Sequence, residues 1–369
     1  MSGCFNSLID FTIPRQAVSK ALDDGRLLSM EIEFSLKCNF SCPYCYVPRQ
    51  DELKGELTPA EHRDIILQAK ALGAERIIVL GGEPSIYPEI DDMIRFMVSL
   101  GLSVELFTNG TGISPPFAGF LHRHRVRVVL KMNTFDPDLQ DRLSGKTGAY
   151  QIIQAALSHL KQAGYPSDEA FLAVSSVICR QNIAELPRLW RWLRDQNIAP
   201  YFEIMTPQEN AVNNRWLSVD SKALYHLFET LSDIDRRHYG RQWDPQPPLV
   251  GNRCMRHSFS CLVTSKGDVM PCVGVTISLG NVREAPLSDI IKNSTVLNHL
   301  KNHRNTIKGG CGTCEKADLC YGCRGAAYQL TGDYLASDPL CWRNSCPSTS
   351  PAGGGDPWSR KRRRPSPKS

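Results

Sequence analysis

Three cysteines, in the run Cys38-Asn39-Phe40-Ser41-Cys42-Pro43-Tyr44-Cys45, constrain this chain more than any other feature. They follow an alternating stretch, residues 31–36, that reads as a β-strand, so the thiols sit on the loop at that strand's carboxyl end. Three thiolates hold three irons of a 4Fe-4S cluster and leave the fourth iron without a protein ligand, the open position that separates catalytic metal sites from closed structural ones. A structural zinc loop or a group of buried thiols is the competing reading. A closed site needs four ligands, however, and only three lie close together here.

The spacing, with Tyr44 directly before the last cysteine, resembles the signature of the radical S-adenosylmethionine (SAM) enzymes. The resemblance implies that Cys38, Cys42 and Cys45 carry a SAM-binding 4Fe-4S cluster. Its open iron chelates the methionine amine and carboxylate, and an electron from the cluster cleaves SAM to a 5′-deoxyadenosyl radical.

At 369 residues, 41% hydrophobic and 22% charged, the chain has room for one large domain and a smaller one. It contains no run of about 18 apolar residues, so no membrane span is expected. Residues 1–15 are interrupted by polar residues and proline where a signal peptide needs an apolar core. The fourteen cysteines are grouped in tight clusters, which fits metal ligation in a reducing cytoplasm better than disulfides. The net charge of +5 lies entirely in residues 347–369, where six basic residues from Arg360 to Lys368 oppose Asp356. That Pro/Gly/Ser-rich stretch reads as a disordered basic tail. With no aromatic platform interleaved among its charges, nucleic acid is not expected as a partner.

From residue 31 onward, six strand-like runs appear at 31–36, 76–80, 103–108, 126–132, 171–179 and 200–205. Each is followed by a helical pattern. Thr58-Pro59-Ala60-Glu61 is a capping box with proline at the first helical position, opening a helix that ends before Gly73. Further helices are expected at 89–100, 115–124, 149–163, 183–196 and 221–238. Strand then helix, six times, predicts an α/β fold with a parallel sheet and helices outside. Six units fall short of the eight that close a TIM barrel. A doubly wound sheet fits composition equally well; a partial (β/α)6 TIM-like barrel, open on one side to admit substrate, is what resemblance to the radical SAM core implies.

The polar motifs fall at strand ends, where parallel α/β proteins build their ligand sites. Gly81-Gly82-Glu83-Pro84 follows the second strand, Asn109 the third and Asn133 the fourth. The glycines allow close backbone approach, and Glu83 is an acceptor suited to an ammonium group. Taken alone the block is a turn. Together with the cysteine motif it resembles the family's glycine-rich element, which implies that Gly81, Gly82, Glu83 and Pro84, with Tyr44, bind SAM and that Glu83 holds the methionine ammonium. Asn109 and Asn133 resemble residues that contact ribose or carboxylate, and are otherwise turn formers. Lys131, Ser175, Arg180 and Glu203 lie on strands or their ends without an assigned catalytic role.

Past residue 239 the repeating units stop, and Asp244-Pro245-Gln246-Pro247-Pro248 leads into a cysteine-rich segment. Its eight thiols, Cys254, Cys261, Cys272, Cys311, Cys314, Cys320, Cys323 and Cys341, match the ligand count of two fully coordinated 4Fe-4S clusters. Residues 261–272, around Ser265-Lys266-Gly267-Asp268, read as a β-hairpin. The quartet at 311, 314, 320 and 323 is too compressed for a zinc ribbon, although zinc accepts four thiolates as well. The whole resembles the SPASM extension of some radical SAM enzymes. By that resemblance Cys254, Cys261, Cys272 and Cys323 hold one auxiliary cluster, and Cys311, Cys314, Cys320 and Cys341 the other. Two residues separate Cys320 from Cys323 where the family often has three, and Cys261 stands at an unmatched offset, with Cys346 as its possible substitute. Val273 replaces the catalytic aspartate of some sulfatase-maturing relatives. Cys4 and Cys179 remain unassigned.

The expected organisation is therefore a lead-in at 1–30, a radical SAM core at 31–238, a SPASM-like domain at 239–346 and the tail at 347–369. The expected function is reductive SAM cleavage followed by hydrogen abstraction from a substrate, in peptide modification or cofactor biosynthesis, with a low-potential donor such as flavodoxin or ferredoxin. The alternative is a non-catalytic iron–sulfur or zinc-stapled electron-transfer or binding protein.

Overall fold

The computed structural model describes residues 15–47 and 53–344. Its backbone is one nine-stranded sheet: β1 (Ser29–Glu33), β2 (Arg76–Leu80), β3 (Ser103–Thr108), β4 (Arg127–Lys131), β5 (Leu172–Ile178), β6 (Ala199–Ile204), β7 (Ser260–Val263), β8 (Asp268–Met270) and β9 (Gly280–Asn281). The spatial order is β6-β5-β4-β3-β2-β1-β7-β8-β9. All neighbours from β6 to β7 are parallel; β8 and β9 run antiparallel.

Period-two alternation sorts each parallel strand into two faces. Met30 and Ile32, Ile77 and Val79, Val104 and Leu106, and Val128 and Leu130 are fully or almost fully buried in the core shared with the helices. The other face carries Glu31, Glu33, Glu105, Phe107, Arg127, Lys131, Ser175, Tyr201 and Glu203. Phe107 of β3 and Tyr201 of β6 meet edge-to-face with ring centroids 5.7 Å apart. Three strand spacings in a flat sheet span about 14 Å. The sheet is therefore curled around this polar face, as a partial barrel requires. Leu249 pairs with Glu203 at the outer edge of β6.

The helix at Pro59–Ala71 starts at the expected capping box: Glu61 N–H donates to the Thr58 hydroxyl and Thr58 N–H to the Glu61 carboxylate. Two features depart from expectation. A helix at Pro137–Ser144 was not anticipated, although Asp136, whose carboxylate caps Leu139 N–H, and Pro137 at the first helical position announce it. The hairpin around Gly267 forms, but its first strand, β7, joins β1 in parallel, extending the barrel sheet into the cysteine-rich region. Cys4, Cys346 and the basic tail lie outside the described residues. Among those described, no helix is long and apolar enough to cross a membrane.

Candidate active site

β1 ends at Glu33, three residues earlier in its pairing than its sequence pattern runs, because the chain then leaves the ladder as the cysteine loop. Other elements clamp that loop. Ser41 N–H donates to Ser144 O at 3.1 Å, and Asn210 donates from its side chain to Cys42 O (3.1 Å) and from its backbone to Cys45 O (3.3 Å). Gly82 and Glu83 N–H groups donate to Ser35 O and Lys37 O, both at 2.9 Å. The two glycines thus serve the approach of one backbone to another. A Cβ on Gly81 would lie 2.5 Å from Ser35 O, and one on Gly82 2.1 Å from Lys37 O. Pro84 opens the short 3-10 turn that Glu83 caps.

Cys38, Cys42 and Cys45 come together. The charge of Cys45 bears on both other thiols, and burial pushes Cys38 up to about 11 and Cys42 up to about 12. Lys131, reaching up from β4, opposes that rise at Cys42 and Cys45. Its ammonium stands 5.1 Å from the Tyr44 ring centroid and 3.8 Å from Glu203. Phe40 N–H approaches Cys38 Sγ at 3.5 Å and the Asn109 amide at 3.9 Å. A donor set of three half-buried thiols fed by N–H groups and one cation fits a thiolate-ligated cluster, whose bound iron would supply the charge that ionises them.

Glu83 is 3% exposed, and its carboxyl is raised, chiefly by burial. Oε1 accepts from Ser85 N–H (2.9 Å) and the Thr108 hydroxyl (2.5 Å), and Oε2 from Asn109 N–H (2.5 Å). A carboxylate has about four acceptor positions, so Glu83 joins the ends of β2 and β3 and retains acceptor capacity on Oε2. Asn109 lies beside Cys38 and also donates to Asn39. Asn133, expected at the ligand, is instead a strut behind the site. It is completely buried, donating to Tyr44 OH at 2.8 Å and accepting Val177 N–H at 3.0 Å. Tyr44 is thereby fixed by its hydroxyl. Arg180 donates from Nε to Ser218 O at 3.2 Å.

In the second region two thiol groups separate. The charges of Cys311 and Cys314 bear on Cys320, and those of Cys311 and Cys320 on Cys341. Cys254 and Cys272 act on Cys323. Backbone N–H groups point at the sulfurs: Lys316 at Cys314 (3.4 Å), Gly322 at Cys320 (3.3 Å), Ala326 at Cys323 (3.3 Å) and Asp338 at Cys311 (3.3 Å). Arg324 lies among them, buried, with Nη1 on Tyr334 O and Ala336 O and with Nε and Nη2 unpartnered. A buried cation beside the Asp338 carboxyl, with donors to spare on Nε and Nη2, fits an anionic cluster at this place. Cys261 departs from expectation: it is 1% exposed in the apolar helix-side core with Met30 and Ile32, on the face that alternation turns away from the barrel. None of the twelve described cysteines is in a disulfide.

Several positioning residues escaped the sequence reading, among them Ser144, Asn210 and Gln140, whose amide bridges Asn133 N–H and the Ser144 hydroxyl. Tyr46 also escaped, although it sits one residue past the motif; its hydroxyl pairs with the backbone of Gly81. Only the Asp136-Pro137 pair offered a readable signal for any of them.

Comparison with known proteins extends this geometry. The radical SAM superfamily model matches residues 32–193, and the SPASM iron–sulfur cluster-binding domain matches residues 254–315. An AdoMet-dependent heme synthase of Methanosarcina barkeri is 27% identical over 342 residues, covering 86% of this chain and 96% of that one. A PqqA peptide cyclase of Streptomyces rochei is 30% identical over 338 residues, covering 86% and 90%. Among solved structures, SuiB of Streptococcus suis bound to its precursor peptide SuiA superposes with a TM-score of 0.66 at 18% identity, covering 89% of this chain and 79% of SuiB. The AdoMet-bound anSMEcpe structure gives 0.65 at 16%, covering 85% and 94%. These two likenesses are of fold. The chain belongs to the radical SAM superfamily of AdoMet-dependent iron–sulfur enzymes and carries the SPASM iron–sulfur cluster-binding domain in its carboxyl-terminal part.

Proposed function

We propose that Cys38, Cys42 and Cys45 hold the SAM-binding cluster and that the enzyme oxidises a ribosomally made peptide by hydrogen abstraction inside the partial barrel. When bound, the cluster and SAM supply a 5′-deoxyadenosyl radical. The chain's own residues do the rest. Gly82 and Glu83 lock the thiol loop to the end of β2, Glu83 Oε2 offers an acceptor to the methionine ammonium, and Asn133 orients Tyr44 beside Cys42. The curled inner face, with Lys131, Ser175, Tyr201 and Glu203, lines the space for substrate. The observation that carries the reading is the convergence of three thiols with the buried Glu83 at adjacent strand ends. Proposed extents are 31–238 for the core and 239–346 for the cysteine-rich region, whose thiols would hold the two auxiliary 4Fe-4S clusters that take up the electron left by substrate oxidation. A low-potential donor of the flavodoxin or ferredoxin type and a reducing cytoplasm complete the picture.

The peptide reading draws on the PqqA peptide cyclase and on the peptide bound to SuiB. A cofactor precursor is the second reading, favoured by the heme synthase that this chain covers over 96% of its length. Anaerobic reconstitution with iron and sulfide, followed by SAM and dithionite, tests the chemistry: 5′-deoxyadenosine forms with the parent and not with Cys42→Ala. Its absence from the parent overturns the proposal. A candidate precursor peptide then loses two hydrogens by mass spectrometry. A porphyrin precursor consumed in its place selects the second reading.

A further inference from the structure

We infer that Arg256 binds a carboxylate inside the barrel, so that the substrate is an acid-bearing molecule anchored between the thiols at 38–45 and the cysteine-rich region. The inference rests on the reading of the curled inner face as the substrate space and names the chemical class of what enters it.

Arg256 opens the short 3-10 turn Arg256–Ser258 that leads into β7. β1 and β6 lie at the two ends of the barrel strands β1 to β6. The guanidinium spans them from inside: Nη1 pairs with Glu31 of β1, and Nη2 stands 3.5 Å from the Tyr201 hydroxyl of β6.

Two arginines reach the inner face, and they are held differently. Arg127 is closed off. Its side chain is 2% exposed, Nε donates to Glu105 at 2.8 Å, and the guanidinium lies 3.6 Å from the centroid of the Phe171 ring. Arg256 is open, with 25% of its side chain exposed against 5% for the Glu31 it pairs with. Lys131 and Glu203 on the same inner face are 21% and 35% exposed, so solvent reaches this side of the sheet.

A guanidinium carries its N–H donors in a fixed fork. Glu31 takes Nη1, Tyr201 stands at the outer limit of hydrogen bonding to Nη2, and Nε meets no acceptor among the described residues. Nε and Nη2 form one edge of the group, the edge that receives both oxygens of a carboxylate side-on. The other carboxyls of the inner face are engaged elsewhere. Glu105 belongs to Arg127 and Arg76, and Glu203 to Lys131. Glu33, raised to about 7 chiefly by burial, accepts Ser265 N–H at 3.4 Å. The charges of Cys254 and Cys272 bear on Arg256, whereas Lys131 bears on Cys42 and Cys45. A substrate held by its acid at Arg256 therefore lies between the two sets of thiols.

The acid is either a glutamate side chain of a peptide or a propionate of a small cofactor precursor, and two pairs of probes separate these sources. Reconstituted enzyme loaded with SAM, without reductant, is titrated anaerobically with acetyl-Gly-Gly-Glu-Gly-Gly-amide and its Gln counterpart, and with mesoporphyrin IX and its diamide. In one pair the acid is expected to bind about tenfold or more tighter than the amide, and that pair identifies the source. Arg256→Gln brings the acid to the affinity of the amide, and Arg256→Lys restores part of the difference. Arg256→Gln leaves Glu31 buried without its cation, so Arg256→Gln/Glu31→Gln supplies a neutral pair and shows the same loss, with iron content as the check on folding. A parent that prefers the acid in neither pair, or a preference that persists in the double variant, overturns the inference. The two readings fail separately: a parent that makes no 5′-deoxyadenosine on addition of dithionite overturns the radical reading while its acid preference stands, and 5′-deoxyadenosine without acid preference does the reverse.

Discussion

The thiols at 38–45 and those at 311–341 are held in opposite ways. The first loop is gripped by distant parts of the chain: the end of β2, the helix Pro137–Ser144 and Asn210 all anchor it, and its nearest cation, Lys131, belongs to a barrel strand. The second region is gripped largely by itself, with N–H groups two or three residues along pointing at Cys314, Cys320 and Cys323. A site assembled from many elements reports on the whole barrel, whereas one built from its own turns depends on its own few residues. Chemistry that must line up SAM with a substrate belongs in the first kind of site, and electron storage is served by the second.

The largest effect follows directly. Cys42→Ala is expected to abolish 5′-deoxyadenosine formation and to lower the iron content by about four per chain. Cys314→Ala is expected to cost the same iron yet leave SAM cleavage running, uncoupled from product. Chromatographic quantitation of 5′-deoxyadenosine against product separates the two. Equal loss of SAM cleavage in both variants would break the division of labour.

Acid should attack the barrel side. His62 lies fully buried, its ring edge-on to Phe34 and Tyr87, with the Glu33 backbone the one polar group that approaches it. Burial lowers it from 6.5 to about 4; the charged groups bearing on it are Glu61 and Arg283. The unfolded chain therefore binds more protons between those values. Stability is full above about pH 6.5 and falls by about 1.4 kcal/mol per pH unit until the folded imidazole itself titrates near 4. Denaturant midpoints between pH 7 and 5 should show that slope, and His62→Phe should flatten it.

Much of this was legible because alternation and cap signals are local. Five of the six barrel strands stand within one residue of their expected runs and β1 within three, and the capping box at Thr58 forms as its four residues dictate. What stayed hidden was non-local. No periodicity says that β7 will pair with β1, so Cys261 looked like a ligand when counted along the chain and proves to be a core residue once its register is known. Asn133 has the same history. An asparagine after a strand reads as a turn or a ligand contact, and only the fold reveals that Tyr44 and Val177 occupy its amide. The glycines of 81–82 were read as letting the backbone approach a ligand; the close approach the fold shows at them is to the backbone of residues 35–37.

Arg324 sharpens the contrast from the other side. Its unpartnered Nε and Nη2 make it a buried cation that a bound anionic cluster neutralises. Arg324→Met should lose more stability in the iron-loaded protein than in the iron-free one, by about 1–3 kcal/mol. The auxiliary midpoint potential should move to more negative values, because removing positive charge favours the oxidised cluster. Denaturation of both forms, with a redox titration, measures both effects, and an identical loss in the two forms would assign Arg324 to loop structure alone.

The smallest effect tests the joint between the two regions. Arg283, just past β9, forms a two-pronged pair with Glu61 on the first barrel helix, Nε to Oε1 at 2.6 Å and Nη2 to Oε2 at 3.0 Å, and also donates to Gly55 O and Glu56 O. Arg283, and then the Thr58 cap, hold the Glu61 carboxyl down at about 2. A carboxyl lowered on folding stabilises the protein above its unfolded value near 4.3 and loses that contribution as pH falls toward 2. Both side chains are more than a third solvent-exposed, so screening limits the coupling to about 0.5–1 kcal/mol. A double-mutant cycle with Glu61→Gln and Arg283→Met at pH 7 should return that value at low salt and less at high salt. A coupling of zero would leave the β1–β7 ladder as the principal link, and the cysteine-rich region would then be tied to the barrel through the sheet and hardly at all through its surface.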